Sequence, residues 1–326
     1  MSWTPQRLLR LAARLSGQPE VDARVVEGVL GARRTGERFA SSLNNDGSPL
    51  QICVSLRGDG QSVRLVGDPH ADVRCARTRA IEAVRCAYQA ARRWGAPSAR
   101  PLLHATVSTV LPPAVRYHLL DHGATWLGAR AAGGEGFAAY FTLGWAPEPR
   151  RPEIARSWLR EVLVDATEAV GFVDAIQGAT VFSAAAIEGH GAEDMRFKLY
   201  VYLRQPAVIY DLGVPLLERE RFDDFLNVVM QKRSVGLDGL LLSCAFDRAG
   251  RPSAAKVDLC GHCLAHGRET WRQLVDTVSE SQGIARFPWD VLADAPTIET
   301  GFVGWAVERD ASPRMNLYFK EPQDDC

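Results

Sequence analysis

The chain of 326 residues is 46% hydrophobic and 24% charged, with a formal net charge of −1. That profile belongs to a soluble globular protein and excludes a disordered or fibrous chain, and no apolar run reaches the roughly 18–20 residues of a membrane span. Balanced charge also removes any global pull toward nucleic acid or an anionic membrane, so a basic site must be local.

Residues 4–16 set Arg7, Arg10 and Arg14 among leucines and are expected to form an amphipathic helix, not a signal peptide. A second helical pattern covers 21–34, and strand patterns follow at 50–58 and 62–67. A long Ala/Arg-rich helix is expected over 71–94, then strands at 102–109 and 136–145 with an irregular segment between them. Pro152 suits the first turn of a helix reaching to 170, and strands follow at 179–187 and 196–203. The pattern repeats as a helix at 216–232 with strands at 237–246 and 254–260, and again as a helix at 268–282 with strands at 297–307 and 314–320.

Helix, strand, strand therefore recurs five times at a period of roughly 55–65 residues, too long for a short-repeat solenoid. No Pro/Gly/Ser linker or charge run divides the chain, so residues 1–326 are expected to form one domain. Seven cysteines, an odd number on a long chain, do not make a disulfide framework and suggest a reducing cytoplasm. Ten antiparallel strands must expose two edges or close, and closure gives an α+β architecture, a barrel enclosing a cavity with helices outside. Polar residues alternate along three strands: Arg196, Lys198 and Tyr200; Lys256 and Asp258; Arg314, Asn316 and Tyr318. Period-2 spacing sends each set to one face, and helices covering the outside leave the interior for them.

These strands resemble those of the aromatic prenyltransferases with a five-fold ααββ repeat and a ten-stranded antiparallel barrel surrounded by helices. Arg64 followed by Asp68-Pro69 is similar to the family's first-unit strand, and Arg196-Phe-Lys198-Leu-Tyr200 to its third-unit R-x-K-x-Y. Tyr140 matches the second-unit K-x-Y strand, with Ala138 in place of the lysine. Lys256-Val-Asp258 and Asn316-Leu-Tyr318 fill the corresponding strands of units four and five. Within the family, KVDLCGHC (256–263) and MRFKLYVYLRQP (195–206) most resemble cyanobactin-type enzymes that modify ribosomal peptides. The chain ends six residues after Lys320, without the C-terminal cover that small-molecule members tend to carry.

The resemblance implies transfer of a dimethylallyl or geranyl group from its diphosphate to a peptide side chain, with a small aromatic acceptor or a non-catalytic ligand-carrying barrel as alternatives. Arg64, Arg196, Lys198, Lys256 and Arg314, with Asn316, Tyr140, Tyr200 and Tyr318, are expected at the diphosphate, where charge develops as the carbon–oxygen bond breaks. Trp145, Tyr202, Trp305 and Asp258 are expected around the prenyl group and acceptor, aromatic faces shielding the allylic cation. Any magnesium is expected to act through the diphosphate, with no protein metal site, organic cofactor, nucleic-acid partner or membrane partner.

One position departs from the family. Indole-directed members carry a glutamate base in the first strand after a D-G-x-P turn, whereas this chain reads Asp46-Gly47-Ser48-Pro49 and then Gln51. An amide is no base at neutral pH. The proton must then go to water, to diphosphate or to another residue such as Glu37, or the acceptor is a phenol or alcohol.

Two other motifs compete. Cys260-Gly-His-Cys263 has the letters of a thiol–disulfide motif, but it follows a strand and lacks the helix that would activate its first cysteine. Cys260, His262, Cys263 and His266 are too bunched for a tetrahedral zinc site. Asp223-Asp224-x-x-Asn227 has the look of the magnesium motif of all-helical isoprenyl synthases, a class that the predicted strands exclude.

Overall fold

The computed structural model describes residues 5–31, 40–114, 123–204, 212–231, 239–264 and 266–322. Ten strands alternate apolar and polar side chains: β1 (Leu50–Arg57), β2 (Gly60–Gly67), β3 (Thr125–Arg130), β4 (Phe137–Thr142), β5 (Thr180–Gly189), β6 (Arg196–Leu203), β7 (Leu240–Phe246), β8 (Pro252–Cys260), β9 (Glu299–Glu308) and β10 (Arg314–Lys320). Each pairs antiparallel with its chain neighbour, and β1 pairs with β10, so the sheet closes into a barrel without edges.

The outward residues are apolar. Leu50, Ile52, Val54 and Leu56 of β1 are fully buried against the helical layer, as are Val303 and Trp305 of β9. Each such aliphatic side chain removed from water is worth about 1.5–3 kcal/mol. The layer comprises α1 (Gln6–Leu15), α2 (Ala23–Leu30), α3 (Ala76–Trp94), α4 (Ala99–Val110), α5 (Arg151–Val162), α6 (Thr167–Ile176), α7 (Arg219–Met230), the single turn α8 (Gly261–Leu264) and α9 (Arg268–Gln282). Two helices precede each of the first three hairpins, the ααββ order of the resemblance.

Two of the longer segments differ from the sequence expectation. Residues 102–109 belong to helix α4, not to a strand: the buried set Leu102, Leu103, Thr106, Val107 and Val110 follows a helical stripe. Thr and Val crowding gave the segment its strand-like composition, but Thr106 Oγ1 donates to the Leu102 carbonyl at 2.8 Å and accepts from Trp158 Nε1 at 3.0 Å. The missing strand is β3, inside the stretch expected to be irregular.

The helix expected from Pro152 to 170 is broken into α5 and α6. Val164 N donates to the Arg248 carbonyl at 3.0 Å, tying the break to the β7–β8 turn. Gly250 there has φ +93°, and a Cβ would collide with the Asp165 carbonyl oxygen, so the close approach requires glycine.

Below β2, Asp68 joins three segments. It accepts from Arg79 of α3 and from Ser41, both at 2.6 Å, and is fully buried. Burial outweighs the neighbouring Arg79 and pushes the Asp68 carboxyl up to about 6.

Candidate functional site

Inward-facing residues of all ten strands enclose a cavity of about 850 Å³. Strand register sorts its wall by chemistry. At the end where β1 finishes, Arg57, Arg64, Arg196, Lys198 and Arg314 surround two carboxylates, Glu188 of β5 and Glu308 of β9. Arg64 donates to Glu188 at 2.5 Å, and Lys198 contacts its other oxygen. Arg196 donates to Glu308 at 2.7 Å and lies 3.6 Å from Glu188, while Arg57 and Arg314 reach Glu308 at 3.0 and 3.2 Å.

Burial alone would raise both acids, yet the surrounding cations reverse it. Arg64, Lys198 and Arg196 hold Glu188 well below the usual carboxylate range, and Arg314 and Arg196 hold Glu308 at about 2. Lys198 moves the other way. Burial pulls its ammonium down to about 7 in spite of Glu188, with Arg196 and Arg314 adding to the shift. Five cations against two anions leave a surplus of three positive charges when Lys198 is protonated.

An aromatic belt adjoins this cluster. Tyr140 and Tyr200 meet edge to face at 5.9 Å, and Phe302 and Tyr318 at 6.0 Å. Burial raises the Tyr140 hydroxyl to about 12 and carries those of Tyr200 and Tyr318 well above their ordinary value, so all three are neutral donors. The Lys256 ammonium lies 5.2 Å from the Tyr318 ring centre and 5.9 Å from that of Tyr200, donates to the Tyr318 hydroxyl at 2.8 Å, and pairs with Asp258. Asn316 accepts from Ser55 at 2.6 Å on the same wall. Past the belt the lining turns mostly uncharged, with Gln51, Val66, Trp126, Thr142, Tyr202 and Leu241.

Of the residues singled out in the sequence, Gln51, Arg64, Tyr140, Arg196, Lys198, Tyr200, Tyr202, Lys256, Asp258, Arg314, Asn316 and Tyr318 line this one cavity. Two tryptophans do not. Trp305 faces outward between barrel and helices, where Nε1 donates to Gln282 of α9 at 2.7 Å and the ring packs on Phe222 of α7. Its strand position fixes this, since the inward parity of β9 is carried by Phe302 and Gly304. Trp145 lies beyond the end of β4 and donates to the Val110 carbonyl of α4 at 2.9 Å. Glu37 falls outside the described residues.

Glu188, Glu308, Arg57 and Trp126 were missed. Glu188 ends an alanine-rich apolar strand and shows only as the one charge on the inward parity of β5. Asn44 to Gly47 form a turn, closed by the Gly47 amide on the Asn44 carbonyl at 3.0 Å.

Outside the cavity lining, Cys260, His262 and Cys263 bring their donor atoms within 4.8 Å of one another. The turn α8 does begin directly after Cys260, contrary to the sequence expectation of no helix there. Burial nevertheless pushes the Cys260 thiol up to about 11, the reverse of an activated thiol. None of the six described cysteines forms a disulfide with another, and no described helix is long and apolar enough to cross a membrane.

No protein-family model and no curated protein matches the chain. Among solved structures it is similar to the prenyltransferase PriB bound to L-tryptophan and dimethylallyl thiolodiphosphate, at 17% identity and TM-score 0.78 over 97% of this chain and 94% of that one. It is similar too to 5-dimethylallyltryptophan synthase from Streptomyces coelicolor in complex with DMASPP and Trp, at 18% identity and TM-score 0.78 over 97% and 93%. AnaPT from Neosartorya fischeri matches at 15% identity and TM-score 0.67 over 92% and 85%. The architecture is thus that of the prenyltransferase barrel.

Proposed function

We propose that this barrel is a prenyltransferase that moves a short isoprenyl group, dimethylallyl or geranyl, from its diphosphate to an aromatic acceptor. The observation that carries this reading is the charge balance at the end of the cavity. Within this cluster, five cations around Glu188 and Glu308 leave three positive charges uncompensated when Lys198 is protonated, the form a bound polyanion favours. A prenyl diphosphate carries about three negative charges, and departing diphosphate is the group such a cluster stabilises as the carbon–oxygen bond breaks. Arg64, Arg196 and Arg314 offer planar forks to phosphate oxygens, and Lys198 a point charge.

The prenyl chain then extends into the belt of Tyr140, Tyr200, Phe302 and Tyr318. Ring faces attract a cation, and Lys256 already places its own over two of them. A cavity of about 850 Å³ holds the prenyl group and an aromatic ring together. The acceptor ring takes the far end, among Gln51, Trp126 and Tyr202, as a free aromatic compound or as the side chain of a peptide. The neighbours crystallised with tryptophan support the first form, and the sequence resemblance to peptide-modifying enzymes supports the second.

A magnesium cage does not fit the donors present, because Glu188 and Glu308 are both engaged by arginine and lysine. The reaction needs no organic cofactor, and described cysteines that form no disulfide suit a cytoplasmic setting. The test is mass spectrometry after incubation with dimethylallyl or geranyl diphosphate and a panel of L-tryptophan, L-tyrosine and short peptides containing them. A gain of one prenyl mass on an aromatic acceptor is the expected result. No mass gain and no binding of the diphosphate would overturn the reading.

A further inference from the structure

We infer that Asp258 of β8 takes the proton lost by the acceptor, replacing the carboxylate that Gln51 cannot supply. The inference rests on the prenyl-transfer reading and assigns a base within it. Among the described residues, the carboxylates lining the cavity are Glu188 and Asp258, with Glu308 at its cationic end. Both oxygens of Glu188 are committed, one to Arg64 and the other to Lys198, and both of Glu308 are held by arginines, one by Arg196 and Arg314 and the other by Arg57.

Asp258 is only half committed. One oxygen pairs with Lys256, while Oδ1 is buried without a hydrogen-bond partner, on a residue 4% exposed. A buried carboxylate oxygen left bare costs free energy unless a donor arrives to satisfy it. Its neighbour across the strands is Gly304 of β9, and the Oδ1 atom fills the space that a Cβ at 304 would take. Glycine there makes room for the carboxylate on the inner wall. Gln51 Oε1 on β1 and Trp126 Nε1 on β3, across the barrel from β8, are likewise buried and unpartnered among the residues that line the cavity.

In the step, the bond from prenyl C1 to the diphosphate oxygen breaks, and its electron pair leaves on diphosphate. A ring carbon of the acceptor forms the new bond to C1. The pair of the ring C–H bond restores aromaticity, and its proton passes to Asp258 Oδ1. The acid gives that proton to solvent when the product leaves.

Asp258→Asn tests the assignment, with Asp258→Glu as the conservative rescue. The substrates are dimethylallyl diphosphate and the acceptor of the panel above that turns over, ring-deuterated and unlabelled. The expected result is a loss of transfer of about a hundredfold, the low end of general-base catalysis. Diphosphate binding should fall by much less than transfer, and a primary deuterium isotope effect absent from the wild type should appear. Asp258→Glu should recover part of the rate. Should Asp258→Asn fail to fold, Gly304→Ala displaces the same carboxylate by its Cβ and is expected to show the same split.

Transfer at the wild-type rate in Asp258→Asn would overturn the assignment. So would parallel loss of transfer and diphosphate binding without an isotope effect, which would make Asp258 only the support of Lys256. A wild-type protein that neither binds nor turns over the diphosphate would instead overturn the prenyl-transfer reading, and the base with it.

Discussion

Arg196 and Glu308 face each other across the mouth of the barrel at 2.7 Å, and the same guanidinium lies 3.6 Å from Glu188. One side chain thereby links two acid-centred groups of cations that would otherwise repel. Replacing Arg196 or Lys198 by alanine is expected to weaken diphosphate binding and lower turnover by tenfold or more, about 1.4 kcal/mol. Binding titrations and steady-state kinetics check this, and unchanged values in both variants would remove the cluster from the reaction.

Lys198 makes the site sensitive to pH. In the free protein its ammonium is pulled down to about 7 by burial, so it loses its proton as the pH rises through neutrality. A bound polyanion favours the charged form, and diphosphate binding above neutral pH must therefore take up a proton. Calorimetry in two buffers of different ionisation enthalpy at about pH 8 is expected to show that uptake and an affinity falling with further rise in pH. Lys198→Arg should abolish the uptake, since arginine stays charged.

Arg79 tests the fold without touching the cavity. Its pair with Asp68 is fully buried at 2.6 Å, and removing Arg79 strips a buried carboxyl of its counter-charge, so that it must stay charged and unpaired or take up a proton. Arg79→Ala is expected to cost about 3–5 kcal/mol of stability, measured by denaturant unfolding.

Trp305 separates outer wall from inner wall. Trp305→Phe deletes the donor to Gln282 and should cost about 1 kcal/mol of stability. Transfer kinetics should not move, and a selective loss of prenyl transfer would place the ring in the reaction after all.

Much of this was legible because a strand has a period of two. Arg196, Lys198 and Tyr200 alternate within β6, so one parity argument placed all three inside. That argument was weaker for Trp305, where two tryptophan-sized spaces exist, inside the barrel and beneath the helices, and composition does not choose between them. Register does, through the pairing of Asp258 with Gly304. Glu188 stayed hidden for a different reason. Its role depends on Arg64 and Lys198 arriving from β2 and β6, and pairing of distant strands is not written in any local window. Helix α4 was misread because β-branched residues suggested a strand, while the stripe of Leu102, Leu103, Thr106 and Val107 was the stronger signal.

Closure of the sheet also sets a timetable for synthesis. Ser55 of β1 bonds Asn316 of β10 across 261 residues of sequence. A ribosome adding about 5–20 residues per second needs roughly 13 to 50 seconds to deliver that partner. For that interval β1 offers an unpaired edge, the kind of surface on which nascent chains associate. The protein should therefore depend on chaperones during translation more than its stability, once closed, would suggest.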